Sequence, residues 1–226
     1  MSIAVVLFDL GGVVCRFRPE RRLAALAQLS GLSELEVHRR IWESGLDAAL
    51  DRGEHDLAGA HAAVTAALGA RLDLATLASA WALAFEPDAA VLAVVDAVRL
   101  RARAGLLTDN GPLLRHAMPD HLHEVARRFD WLLFSCELGA VKPAPLLFER
   151  VLARTGCPPR ATLLIDDSLN NVEGARASGM RARLYRGLET LVPELLAAGV
   201  IAGATVHDRG RASARKRSGS QPDLSH

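Results

Sequence analysis

Four short apolar runs each lead into polar residues, and this pattern constrains the fold more than any other feature of the chain. Ile3 to Phe8 is followed by Asp9; 104–108 closes on Thr108, ahead of Asp109 and Asn110; 131–134 precedes a long loop carrying Lys142; 161–165 runs into Asp166 and Asp167. Apolar runs this short, bounded by turn residues, predict fully buried strands. A further run at 181–185 has the same character, while 88–100, 145–155 and 169–178 show helical spacing. Strands alternating with helices predict a parallel sheet covered on both faces. In such sheets ligands bind beyond the carboxyl ends of the strands, so the four polar termini are expected to converge on one site.

Between the first and second runs the pattern is wholly helical, with segments at 21–30, 33–50, 56–69 and 73–86 closed by Pro87. The block reads as an insertion lying over the site. The expected organisation is an α/β protein with a Rossmann-like parallel-sheet core formed by 1–16 and 88–206, an inserted α-helical cap at 17–87 and a basic tail at 207–226. Half of the residues are apolar, enough to bury a substantial core.

The formal charge of +1 is unevenly spread, because 207–226 holds five Lys or Arg against Asp208 and Asp223, a net +3 that leaves −2 elsewhere. This tail has almost no apolar surface to offset the entropy of ordering and is expected to be disordered. It lacks the interleaved aromatics of single-strand binders, which argues against a nucleic-acid partner. No apolar run approaches the roughly 20 residues of a membrane span. Cys15, Cys136 and Cys157 are an odd number, widely spaced and without metal-ligand pairing. They fit a reduced, cytoplasmic setting. The sequence assigns no oligomeric state.

Taken singly, each polar terminus has a structural explanation, since an Asp after a strand commonly caps a helix or makes a turn. Together they say more. Carboxylates from different strand ends repel unless a cation joins them, and Mg2+ is the hard, oxygen-preferring candidate. Lys142 is also unusual, because the chain uses Arg for nearly every cation and has one other lysine, Lys216. A lysine and a hydroxyl beside paired carboxylates suit a phosphate, with Lys142 offsetting its charge and Thr108 and nearby backbone amides donating hydrogen bonds.

The segments VVLFDLGGVV, LLTDNG, SCELGAVKPAPLLFERVL and TLLIDDSLNNVEGARASGM resemble, in order and spacing over about 3–186, the four motifs of haloacid dehalogenase-like hydrolases. The resemblance implies a Rossmann-like core, Asp9 as nucleophile, and Thr108 and Lys142 on the phosphate with Asp109 and Asn110 beside them. It implies Mg2+ held by Asp9, the Gly11 carbonyl and Asp167, with Asp166 acting mainly through bound water. The helical insertion matches the small α-helical (C1) cap of one branch. ALDRGEHDLAGAHAAV within it is similar to sugar-1-phosphate phosphatases, which makes Trp42, Arg52 and His55 candidate substrate contacts. The implied activity is a magnesium-dependent phosphomonoester hydrolase acting through a phosphoaspartate on a small phosphorylated metabolite, with sugar phosphates the favoured class.

Two positions depart from the pattern. Most phosphatases of this type carry a general-acid aspartate two residues after the nucleophile, where this chain has Gly11. Without that acid, substrates with good leaving groups are favoured, anomeric sugar phosphates among them. Asp109 stands where related enzymes often have Asn, so its carboxylate must turn from the phosphate or meet a cation. A 2-haloacid dehalogenase is disfavoured by Gly11 and by the acidic pair Asp166-Asp167, and a mutase by the missing acid. A catalytically weak binding or regulatory protein is the remaining alternative.

Overall fold

The structure is a computed structural model in which residues 2–203 are described; the tail at 207–226 lies outside the described residues. In chain order the elements are β1 (Val5–Phe8) and β2 (Cys15–Phe17), then the cap helices α1 (Pro19–Ser30), α2 (Glu34–His38), α3 (Leu46–Asp51), α4 (Leu57–Leu68) and α5 (Leu74–Ala82). The chain returns through β3 (Phe85–Pro87), α6 (Ala89–Val98), β4 (Arg103–Thr108), α7 (Pro112–His121), α8 (His123–Ala126) and β5 (Trp131–Phe134). It continues as α9 (Ser135–Leu138), α10 (Pro145–Thr155), β6 (Thr162–Asp166), α11 (Leu169–Ala177), β7 (Arg181–Leu184) and α12 (Leu188–Ala197).

The main sheet is parallel with strand order β5-β4-β1-β6-β7, a Rossmann-like α/β arrangement. Side chains alternate faces along each strand. Val6 and Phe8 of β1, Ala104 and Leu106 of β4 and Leu163 and Ile165 of β6 join one core, which includes Val91 and Val95 of α6 and Leu113 of α7. Val5 and Leu7, Leu107 and Leu164 point to the other, against Leu147, Phe148 and Val151 of α10 and Val172 of α11. Both faces are therefore dry, which is why these strands read as unbroken apolar runs. Each fully buried Leu, Val or Phe contributes roughly 1.5–3 kcal/mol. Gly105 sits close against β1: a Cβ there would stand 2.7 Å from Leu7 Cδ2, so that leucine would have to shift.

β1 lies at the centre, with β4 on one side and β6 on the other, so Phe8 pairs with both Leu106 and Ile165. That register brings the residues after Phe8, Leu107 and Ile165 to one edge of the sheet.

The insertion departs from the expected helix boundaries in two places. The helix expected at 33–50 is divided: a π-helical turn spans Arg39–Glu43, and Gly45, at φ 82°, breaks the path before α3. A left-handed residue cannot continue a right-handed helix, and glycine adopts it without Cβ strain. The helix expected at 73–86 stops at Ala82, because Phe85–Pro87 pairs antiparallel with Cys15–Phe17. Phe17 and Phe85 face each other across this ribbon, ring centroids 5.4 Å apart. The chain thus leaves and re-enters the core through one two-stranded hinge. Asp56 and Asp73 cap α4 and α5, accepting from Gly59 N at 2.7 Å and Thr76 N at 2.8 Å. No helix among the described residues is long and apolar enough to cross a membrane.

Candidate active site

The carboxyl ends of β1, β4 and β6 and the loop after β5 surround a cavity of about 260 Å³, roofed by the cap. Asp9, Gly11, Thr108, Asp109, Asn110 and Lys142 line it, with Asp167 and Asn171 at the β6 side.

Lys142 joins the carboxylates of two strand ends. The ammonium group donates to Asp9 Oδ1 and to Asp166 Oδ2, both at 2.7 Å, and lies 3.4 Å from the Leu107 carbonyl. Its side chain is 2% exposed. Burial opposes the charge on Lys142, but Asp9, Asp166 and Asp109 outweigh it and hold its pKa above the ordinary lysine value. Burial pushes Asp9 up to about 7, with Asp166 adding to the rise and Lys142 opposing it.

Asp166 is fully buried, and both its oxygens are engaged by protein donors. Oδ1 accepts from Ser168 N at 2.9 Å and Asn171 Nδ2 at 3.0 Å, Oδ2 from Lys142. Asp167 is the exposed member of the pair. It approaches the β1 loop so closely that a Cβ on Gly12, at φ 80°, would overlap its Oδ2. Burial, and then Asp166, raise the pKa of Asp167.

Ligand oxygens of Asp9, Asp166 and Asp167 lie within 4.8 Å of one another, a group that could hold a metal ion. The donor set is all hard oxygen, and one lysine cannot neutralise the carboxyl groups gathered here, so the residues fit a divalent cation such as magnesium.

On the β4 side, Asn110 Nδ2 donates to Thr108 Oγ1 at 2.7 Å, and Asn110 N donates to Ser135 Oγ at 3.0 Å. The Asp109 carboxylate turns toward the loop after β5 and accepts the Lys142 backbone N–H at 3.1 and 3.2 Å. It therefore braces the lysine through the main chain. Gly11 carries no side chain, and the space beside it is walled by Phe85 and Phe17, with Phe85 Cε1 3.5 Å from a built Cβ.

Of the cap residues singled out in the sequence, Trp42 lines the cavity. Arg52 does not; it is exposed and pairs with Glu54 at 2.7 Å. His55 lines a separate hollow with Arg115 and His116. The cap wall is instead built from Arg22, Asp47, Asp51 and Trp42, together with Phe17 and Phe85 of the hinge. Asp47 and Asp51 are one turn apart on α3. Ser135 and Asn171 lay inside the recognised motifs, but Arg22 sits in an Arg-rich stretch where nothing in the pattern marks it out.

The pattern of the haloacid dehalogenase-like hydrolases matches residues 3–179. "Phosphatase MT3486" of Mycobacterium tuberculosis is 31% identical over 196 residues, 81% of this chain and 88% of that protein. A HAD-like family hydrolase from Porphyromonas gingivalis superposes with a TM-score of 0.70 at 25% identity, covering 87% of this chain and 98% of that one. The HAD family enzyme bt-2542 from Bacteroides thetaiotaomicron, in complex with magnesium and inorganic phosphate, superposes with a TM-score of 0.69 at 21% identity, over 82% and 95% of the two chains.

Proposed function

From the premise that this chain belongs to the haloacid dehalogenase-like hydrolases, we propose that it is a magnesium-dependent phosphomonoesterase that works through a phosphoaspartate on Asp9. The observation that carries the reading is Lys142, bridging Asp9 and Asp166 at 2.7 Å beside Thr108 at the meeting of three strand ends. The relative from Mycobacterium tuberculosis is called a phosphatase, and the Bacteroides thetaiotaomicron neighbour binds magnesium and phosphate; both support it.

Asp9, the Gly11 carbonyl and Asp167 are the residues that would hold the magnesium, with Asp166 behind them. When bound, the ion offsets the negative charge of carboxylates and phosphate that otherwise repel. Thr108 and the Asp109 amide orient the phosphate, Asn110 holds Thr108 in place through its side-chain amide, and Lys142 neutralises the phosphate oxygens. The Asp9 carboxylate attacks phosphorus and the bond to the leaving oxygen breaks. The leaving oxygen takes a proton from solvent water; a water molecule then attacks phosphorus, the bond between the Asp9 oxygen and phosphorus breaks, and inorganic phosphate and the free Asp9 carboxylate are released.

The substrate is a small phosphorylated metabolite of the sugar phosphate class, with phosphorylation at the anomeric carbon favoured because no carboxyl stands at Gly11 to protonate a poor leaving group. The three cysteines are free, which fits a reduced, cytoplasmic setting. The missing acid also favours a second reading, a protein that binds phosphorylated ligands without turning them over. A hydrolysis screen over a metabolite panel, with and without magnesium and with Asp9→Asn alongside, decides between them. Turnover above the Asp9→Asn level supports the enzyme, and a wild-type rate equal to that variant on every substrate overturns it.

A further inference from the structure

The cavity extends from Asp9 into the cap, and there it meets a cation that the chemistry at Asp9 does not use. Arg22 of α1 is 4% exposed. Its Nε donates to the Trp81 carbonyl at 2.9 Å, and its guanidinium lies 4.7 Å from the Trp81 ring centre and 5.5 Å from that of Phe85. Nη1 stands 3.9 Å from Asp47 Oδ1, beyond hydrogen-bond length. Nη2 is buried without any hydrogen-bond partner. A buried donor left open is costly, and because Arg22 lines the cavity a bound group can supply the missing partner.

Around that open donor the cap presents acceptors. Asp47 and Asp51 both line the cavity with Arg22. Burial raises the pKa of each carboxyl; for Asp51 the neighbouring Asp47 and Asp109 add to the rise, while Arg22 and the Gly111 amide oppose it. Burial lowers Arg22 to about 10, so it stays a cation at neutral pH. Leu50 packs on Gly111, where a Cβ would come within 2.8 Å of Leu50 Cβ. This contact seats α3 directly against the loop that follows Asn110.

We propose that Arg22, Asp47 and Asp51 form the subsite for the non-phosphate part of the substrate and that they select a neutral polyol over a carboxylic acid. The proposal rests on the phosphomonoesterase reading and deepens it. A hydroxyl group both accepts and donates. One hydroxyl oxygen can take the open Nη2 donor while its proton, or that of its neighbour, goes to Asp47. The rings of Trp42, Phe17 and Phe85 cover the carbon skeleton. A substrate carboxylate would satisfy Arg22 as well, but it would enter beside Asp47 and Asp109, whose charge repels it.

The test compares kcat/KM on glucose 1-phosphate, phosphoglycolate and p-nitrophenyl phosphate for the wild type, Arg22→Met and the isosteric Asp47→Asn, which guards against a fold defect in the first variant. Leaving-group basicity alone favours glucose 1-phosphate over phosphoglycolate, so the repulsion is read from Asp47→Asn, which is expected to narrow the wild-type preference between the two by at least about tenfold. Each variant is expected to lose about 30-fold on glucose 1-phosphate, mainly in KM, and several-fold less on p-nitrophenyl phosphate, which offers no hydroxyl. Equal losses on both substrates in both variants would make the cluster structural and overturn the proposal, as would a wild-type preference for phosphoglycolate. Turnover of no substrate by the wild type would overturn the phosphomonoesterase reading and this subsite with it.

Discussion

The carboxylate of Asp109 accepts the backbone N–H of Lys142 through both oxygens, at 3.1 and 3.2 Å, tying the loop after β4 to the loop that carries the buried lysine. Asp109 thereby positions Lys142 without touching its ammonium group. Replacing it by Ala leaves a partly buried N–H without its acceptor, at a cost of about 1–3 kcal/mol. Asp109→Ala is expected to lower the urea midpoint and to reduce kcat/KM on p-nitrophenyl phosphate by more than about tenfold. Asp109→Asn keeps one acceptor oxygen and should retain most of both. Equal behaviour of the two variants would show that the bond does not position the lysine.

Activity should depend on Asp9 and on a divalent cation. Removing a covalent nucleophile leaves less than roughly a thousandth of the rate, so Asp9→Asn is the baseline for every assay. EDTA should abolish turnover and added magnesium restore it. Full activity of EDTA-treated, metal-free protein would contradict the assignment of the acidic group.

Leaving-group basicity should dominate the rate, because a positioned general acid contributes roughly a hundred- to ten-thousand-fold, mostly for poor leaving groups. Aryl and anomeric phosphates should therefore be hydrolysed far faster than sugar 6-phosphates. Gly11 does not have a positive φ, and a Cβ there finds only ordinary contacts, the nearest 3.5 Å away. Gly11→Asp should thus fold and should raise turnover of primary alkyl phosphates. Wild-type rates equal on alkyl and aryl phosphates would mean that another group supplies the proton, and Asp51 is then the carboxyl to mutate.

Asp51 should also leave a mark on stability. Burial, with Asp47 and Asp109, raises its carboxyl from 3.8 to about 8. From about pH 4 to pH 8 the folded protein keeps a proton there that the unfolded chain has released, so the contribution of this group to stability falls as pH rises through that window. Asp51→Asn removes the effect. The Tm of the variant minus that of the wild type should grow between about pH 5 and pH 8; a constant difference would show that Asp51 titrates normally.

How far the sequence could be read follows from the range of the interactions involved. The strands were legible because burial on both faces leaves an unbroken apolar signature in a few consecutive residues: 131–134 appears as β5, and the expected run 104–108 as β4 one residue longer. Asp9, Thr108, Lys142 and Asp166 could be expected to converge because parallel strands deliver their carboxyl ends to one edge. Local helical spacing in the cap was equally visible. Its breaks were not, since Phe85–Pro87 leaves the helix only because Cys15–Phe17, some seventy residues earlier, is there to pair with it.

Sequence alone therefore determined the α/β core, the family and the chemistry-bearing strand ends, all of which are written in short segments whose pattern depends on their own burial. Tertiary structure alone decided what the cap offers to a substrate. It turned the Asp109 carboxylate onto a main-chain amide, left Arg52 in solvent with Glu54, and brought Arg22 of α1 beside Asp47 and Asp51 of α3. The physical reason is that a side chain's partner in the cap is set by how helices joined through turns such as Gly45 pack on one another. An arginine sealed between Trp81 and Phe85 has the same local sequence character as one facing water.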